Sequence, residues 1–335
     1  MENYFEISGR PIGNDYPAYI VCEIGINHEG DFNLARNMVK AAAQTGADSV
    51  KFQWERPASK VIEGDVEHDE LTRQFFSIEQ LAELFSLANA NDMACSAVIA
   101  DHRDLKYVRK LGADYFKIES DDLTYLDLIS DVGESGAALM LSTGVATLEQ
   151  VSAAVQAFLD TGNERLVLLH TVSAYPTPDD QVQLDIIEIY KKAFECMVGY
   201  CDHTEDDLAV LAAASRGVHV IEKHFTLDRR AKGSDWEVSL EPEAFSQLVR
   251  NIRRIERMGG QGVKRIFEPE KGKERLIRRS IVAARDIQQG EILTRENIAL
   301  KKPGSGLGPE LLPLFLGKPC KRQILKEAFI REDMV

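Results

Sequence analysis

Two strand-like runs, MVGYC (197–201) and VHVIEKH (218–224), lead to histidines, the first to His203 two residues on and the second to His224. Ionisable groups at the end of a buried strand are costly unless they are paired. Such a cluster is either a satisfied structural knot or the edge of a site. Two imidazoles on neighbouring strands can share one divalent ion and leave positions open for substrate and water. Each can equally bond to a nearby carboxylate. Lys51 and Lys117 also close apolar runs, and with Ser120 and Ser142 they form a candidate anion pocket. Lysine serves there as a point charge for phosphate, and the hydroxyls add donors. The two groupings together point to a phosphate-bearing substrate beside a metal-bound electrophile.

That chemistry needs elements that bring distant residues to one end of a scaffold. Strands are predicted at 19–25, 48–53, 93–98, 114–119, 137–142, 166–170, 197–201 and 218–224. Helical patterns lie between them. Phe32 to Gln44 follows Asp31 as a cap, and Ser77-x-x-Gln80 and Thr147-x-x-Gln150 have the form of capping boxes. Further helices run from Arg103 to Leu111, Leu208 to Ser215 and Glu243 to Met258. Alternating strands and helices ending near residue 260 predict an α/β chain with a (β/α)8 TIM barrel. An open doubly wound sheet is the alternative, but no G-x-G-x-x-G or phosphate loop is present. The charged stretch from Trp54 to Phe76 reads as a long loop, either a binding element or a solvated excursion.

Barrel enzymes place their chemistry at the C-terminal strand ends, and every strand here carries polar groups at that end. In order these are Glu23, Asn27 and His28; Lys51 and Gln53; Ser96; Lys117, Ser120, Asp121 and Asp122; Ser142 and Thr143; His170, Ser173 and Tyr175; Cys201, Asp202, His203 and Thr204; and Glu222, His224 and Asp235. Packing alone does not call for such a pattern.

The formal charge of -14 argues against a nucleic-acid or membrane-surface role. A local anion site is still compatible with it. No apolar run has the length of a membrane span, the N-terminus lacks a signal-peptide shape, and no C-x-x-C occurs. Five scattered cysteines fit a reducing cytoplasm better than a disulfide framework.

The motifs EIGINHEGD (23–31), VKFQ (50–53), FKIES (116–120), LSTG (141–144), LLHTVSAYPTP (168–178), DHT (202–204), IEKHFTLDR (221–229), GSD (233–235) and KKPGSG (301–306) resemble those of the N-acetylneuraminate (sialic acid) synthase family. That family includes synthases of other nonulosonic acids and spore-coat polysaccharide proteins. The resemblance implies a barrel over 1–262, a linker over 263–279 and an antifreeze-like SAF (β-clip) domain over 280–335. It implies a domain-swapped homodimer, with the small domain reaching the neighbouring site through Lys302.

The resemblance assigns His203 and His224 to a divalent metal, Mn2+ first, with Mg2+ or Co2+ as alternatives. Lys51, Lys117, Ser96, Ser120, Ser142 and Ser173 fall around phosphoenolpyruvate. Gln53, Asp122, Tyr175 and Asp235 fall around an N-acyl amino sugar. Glu23 falls near the reacting carbons, and Glu222 is a carboxylate that orients a neighbour. The implied reaction condenses phosphoenolpyruvate with an N-acetylmannosamine-like sugar to give a 2-keto-3-deoxy sugar acid and phosphate.

The chain departs from the family at Ala97-Val98-Ile99, where the family has Thr-Pro-Phe. It also carries Cys201 for Ser, Lys302 for Arg, and Asp122 where Glu is frequent. Three alternatives follow: a class I aldolase with Lys51 or Lys117 as the Schiff base, a non-catalytic sugar-binding paralogue, and a synthase for another or a phosphorylated sugar. In the last, Arg229 and Arg230 either meet a phosphate or are surface charges.

Overall fold

The segment Tyr19–Gly25 is buried at every position, which an extended chain achieves only when both faces of its sheet are covered. In the computed structural model, which describes residues 4–260 and 262–335, it is one of eight parallel strands. We label β1 (Tyr4–Ile7), β2 (Arg10–Gly13), β3 (Tyr19–Gly25), β4 (Ser49–Phe52), β5 (Ala94–Ala97), β6 (Phe116–Ile118), β7 (Leu139–Ser142), β8 (Leu166–His170), β9 (Met197–Asp202), β10 (Val220–His224), β11 (Ser280–Ala283) and β12 (Ile298–Lys301).

The parallel sheet runs β5-β4-β3-β10-β9-β8-β7-β6. Its two ends meet. Val98 bridges Lys117, Ile99 N donates to Lys117 O at 3.1 Å, and Asp114 N donates to Cys95 O at 3.0 Å. That seam closes the sheet into a barrel and removes the open doubly wound alternative. Both capping boxes form, at Ser77 with Gln80 and at Thr147 with Gln150.

Strand alternation separates two cores. Tyr19, Val21, Tyr115, Met140, Val167, Leu169 and Val220 fill the interior. Ile20, Val50, Phe116, Leu141, Leu168 and Ile221 pack outward beneath the helices. The hairpin β1–β2 was not expected from the sequence. Ser8 and Gly9 both take positive φ, +48° and +72°, the geometry of a tight two-residue turn. Its Ile7 and Ile12 are fully buried among the interior residues.

The predicted loop over 54–76 instead contains two helices, Pro57–Lys60 and Val66–Gln74, the second capped by Asp65. Trp54 Nε1 donates to Phe76 O at 2.8 Å and ties the ends of the excursion together.

The chain divides into two compact units at Gly260. The second pairs β11 with β12 in antiparallel register and adds isolated bridges at Val282–Phe329, Ile287–Ile324 and Ile292–Pro319. It has its own core around Ile281, Ile287, Leu293, Phe315, Ile324 and Ile330. A short helix, Glu274–Ile277, lies within the predicted linker. Among the described residues no helix is long and apolar enough to cross a membrane.

Candidate active site

Register places the charged strand ends side by side. Glu23 lies opposite Lys51 on one side and His224 on the other, while Glu222 lies opposite Cys201. All of these point inward, above the apolar interior. Lys51 Nζ is 2.7 Å from Glu23 Oε2, 2.5 Å from Glu119 Oε1 and 3.2 Å from Glu222 Oε1. Lys117 Nζ is 2.5 Å from Glu222 Oε1 and 3.5 Å from Glu119 Oε2. Buried charges require such partners. Burial by itself would raise Glu222, but the two lysines outweigh it and hold the carboxyl low. Glu119 is held well below the carboxylate range against the same burial by the same pair. Burial works against the Lys117 charge, and Glu119 and Glu222 overcome it.

Beside this cluster stand the two imidazoles. Their ring centroids are 5.3 Å apart, and Tyr175 stacks on His203 at 4.0 Å. His203 Nδ1 donates to Val172 O at 2.7 Å, so its Nε2 is the unprotonated nitrogen. Cys201 Sγ lies 3.5 Å from that nitrogen and donates to Glu222 Oε1 at 3.1 Å. His224 Nδ1 is buried with no hydrogen bond among the described residues, 3.5 Å from Asp235 Oδ2. Burial lowers both imidazoles below their usual range and keeps them neutral, and in His224 the nearness of the second imidazole adds to the effect. Neutral imidazoles with free nitrogens fit a divalent cation, so the residues present suit the expected metal. Gly25 keeps this corner open. It takes φ +56°, and a Cβ there would sit 3.1 Å from Glu23 Oε1 and 3.4 Å from Asp235 Oδ2.

A cavity of about 220 Å³ connects the two groups. Its walls include Glu23, Lys51, Gln53, Ser120, Ser173, Tyr175, His203, Glu222 and His224. A match to the family model described as NeuB family spans residues 38–264, and a SAF domain match spans 278–335. The chain belongs to the NeuB family. An uncharacterized protein of Methanocaldococcus jannaschii is 37% identical to it, over 98% of this chain and 97% of its own length. The N,N'-diacetyllegionaminic acid synthase of Campylobacter jejuni is 32% identical, over 93% and 98%. The crystal structure of N-acetylneuraminic acid (sialic acid) synthetase from Leptospira borgpetersenii superposes with a TM-score of 0.77 at 30% identity, covering 81% of this chain and 94% of that one.

In this NeuB family chain five expected residues of the barrel lie outside the cavity lining. Lys117 contacts the site through Glu222. Ser96 donates its hydroxyl to Tyr115 O at 2.5 Å. Ser142 Oγ is buried without a partner among the described residues. Asp235 sits against His224. Asp122 is taken by Lys60, whose Nζ lies 2.6 Å from it, 2.6 Å from Asp121 and 2.8 Å from Glu55. These three carboxylates are the one trio of acid, His or Cys donors within 4.8 Å of one another among the described residues. Lys302 is exposed on the second unit.

Sequence reasoning missed three wall residues, Glu55, Glu119 and Val145. Glu119 was findable, because it follows Lys117 by two positions and shares its inward face. Other strand-end groups face away from the site. Lys223 pairs with Asp202 and donates to Thr204 O at 2.6 Å. His170 Nε2 bonds Val182 O at 2.8 Å.

Proposed function

We propose that this protein condenses phosphoenolpyruvate with an N-acyl amino sugar, giving a sialic-acid-type 2-keto-3-deoxy sugar acid and phosphate. The observation that carries the reading is one cavity bordered by two neutral imidazoles and a buried lysine–carboxylate cluster at the strand C-termini. The names of the relatives point to the same product class.

His203 and His224 would hold the cation, with Mn2+ as the first choice. When bound, it supplies Lewis-acid polarisation of the sugar aldehyde. Lys51 and Lys117 balance the charge of phosphate and carboxylate. Ser120 and Ser173 offer donors next to them. The methylene carbon of phosphoenolpyruvate forms the new bond to the aldehyde carbon. Water adds at the phosphate-bearing carbon, and the tetrahedral adduct expels phosphate to leave the ketone. Glu23, 2.7 Å from Lys51, is placed to orient that water or take its proton. Tyr175 and Gln53 border the space for the sugar, and Asp235 stands beside it against His224. The small domain would reach a neighbouring copy through Lys302.

Lys117 stays protonated, which works against it as the Schiff base of the aldolase alternative and leaves Lys51 for that role. Arg229 donates to Trp236 O and Glu237 O at 3.2 and 2.6 Å, and Arg230 pairs with Asp228 at 2.9 Å. Neither guanidinium is free for a sugar phosphate. The non-catalytic reading has one observation in its favour, that the Lys51 ammonium is already surrounded by three carboxylates.

The deciding assay is phosphate release from phosphoenolpyruvate across N-acetylmannosamine, its 6-phosphate and diacetamido sugars, with Mn2+ or EDTA. The expected result is release with one sugar, stopped by EDTA, restored by Mn2+ and lost in His224→Ala. Silence with every sugar, despite phosphoenolpyruvate binding, favours the non-catalytic reading.

A further inference from the structure

An ammonium group has three donors. Lys51 donates to Glu119 Oε1 and Glu222 Oε1, and Glu23 Oε2 lies 2.7 Å from the same Nζ as a third carboxylate in ion-pair contact. Lys117 adds contacts to Glu119 and Glu222. Three carboxylates against two ammoniums leave the cluster with one excess negative charge. An incoming phosphate or carboxylate therefore meets a filled and repelling cradle, and one resident carboxylate must leave before Lys51 can donate to it.

The three carboxylates are not equally mobile. Glu23 and Glu222 lie within β3 and β10, and their side chains are 2% and 1% exposed. Glu119 is 25% exposed and lies just past the end of β6, before a single 3-10 turn. Its carboxylate also borders the cavity. Its exposure gives this side chain room to rotate away, whereas the side chains of the other two are enclosed. Ser120, the next residue, accepts from Gly144 N at 2.9 Å, so the hydroxyl side of the cradle stays in place if Glu119 moves.

We propose that the Glu119 carboxylate is a built-in anion in the Lys51–Lys117 cradle. It occupies the cradle in the free protein and leaves when an anionic substrate binds, so that this one residue sets the affinity for that substrate. The inference rests on the reading of the cradle as the phosphoenolpyruvate site. It adds that this chain binds the anion by exchange rather than by filling a vacancy.

The test is calorimetric titration of the full-length protein with inorganic phosphate in EDTA, then with phosphoenolpyruvate. Removing one negative charge a few ångströms from the anion tightens binding by about tenfold or more. That gain is expected in Glu119→Gln and Glu119→Ala, with Glu119→Asp close to wild type. It should vanish in Glu119→Gln/Lys51→Met. In steady state, the Gln variant is expected to lower KM for phosphoenolpyruvate more than it changes kcat. Equal or weaker phosphate binding by folded Gln and Ala variants overturns the proposal, as does absence of phosphate binding in every form. So does a wild-type crystal structure in which Glu119 stays on Lys51 beside a bound phosphate, a result that needs no variant to fold. Tighter phosphate binding without phosphate release from phosphoenolpyruvate with any sugar would keep this inference and remove the synthase reading. Sugar-dependent turnover with unchanged binding in Glu119→Gln would do the reverse.

Discussion

Gly144 follows the end of β7 at the serine side of the site, and a Cβ there would come 2.2 Å from Ser173 Oγ and 2.8 Å from Ser120 Oγ. Both hydroxyls border the cavity. Gly144→Ala is expected to push them out of line and cost about 1–3 kcal/mol of stability through local overpacking. Phosphate release should fall more than melting does, and kinetics on the folded variant check it. At this scale the sequence showed residue types well and orientations poorly. His203, His224, Lys51 and Glu222 were all recognisable as polar ends of apolar runs. Asp202 and His170 carry the same signature yet point out of the barrel. Alternation within a strand decides which end group faces in, and a one-residue uncertainty in where a strand starts reverses it. Ser96 shows a different limit. It faces the interior, but the backbone carbonyl of Tyr115 already claims its hydroxyl.

Between elements, the pairing of β9 with β10 sets Asp202 beside Lys223, both with fully buried side chains. Tyr200 and Thr204 also donate to Asp202, at 2.7 and 3.0 Å. This outward-facing pair lies behind Cys201, Glu222 and the two imidazoles and ties their strands together. Removing one partner leaves an uncompensated buried charge, so Lys223→Met is expected to destabilise by about 3–5 kcal/mol. Asp202→Leu with Lys223→Met should cost less than the sum of the single changes. Urea denaturation of the four proteins measures both. The eight barrel strands and most helix caps were legible because they depend on local signals, namely apolar runs, capping boxes and glycine stops. The β1–β2 hairpin was not, because its short strands are held by barrel contacts that no local pattern announces. The helices within 54–76 were hidden by high charge, which reads as loop although Asp65 caps one of them.

Across the whole molecule, five of the seven histidines, His28, His170, His203, His219 and His224, are held below their ordinary range chiefly by burial. His28 is lowered to about 4. The unfolded chain protonates these rings near pH 6.5, and the folded protein resists. Their contribution to stability is therefore complete above about pH 6.5 and is lost as the pH falls from there towards 4. Asp235, raised to about 6 by burial and then by Glu29 and Glu119, takes up a proton in the folded state below that value and offsets part of the loss. The metal-free protein should show a urea midpoint that falls steadily between pH 7 and pH 5 by circular dichroism. The sequence by itself determined the barrel, because periodicity and caps are written in neighbouring residues, and its motifs carried the resemblance that implied the family and the SAF unit. Only the tertiary structure decided the charge state of the site. Glu119 joins Glu23 and Glu222 on one ammonium only because the barrel closes between β5 and β6. Electrostatic coupling depends on distance in space, and a chain read one residue at a time does not contain it.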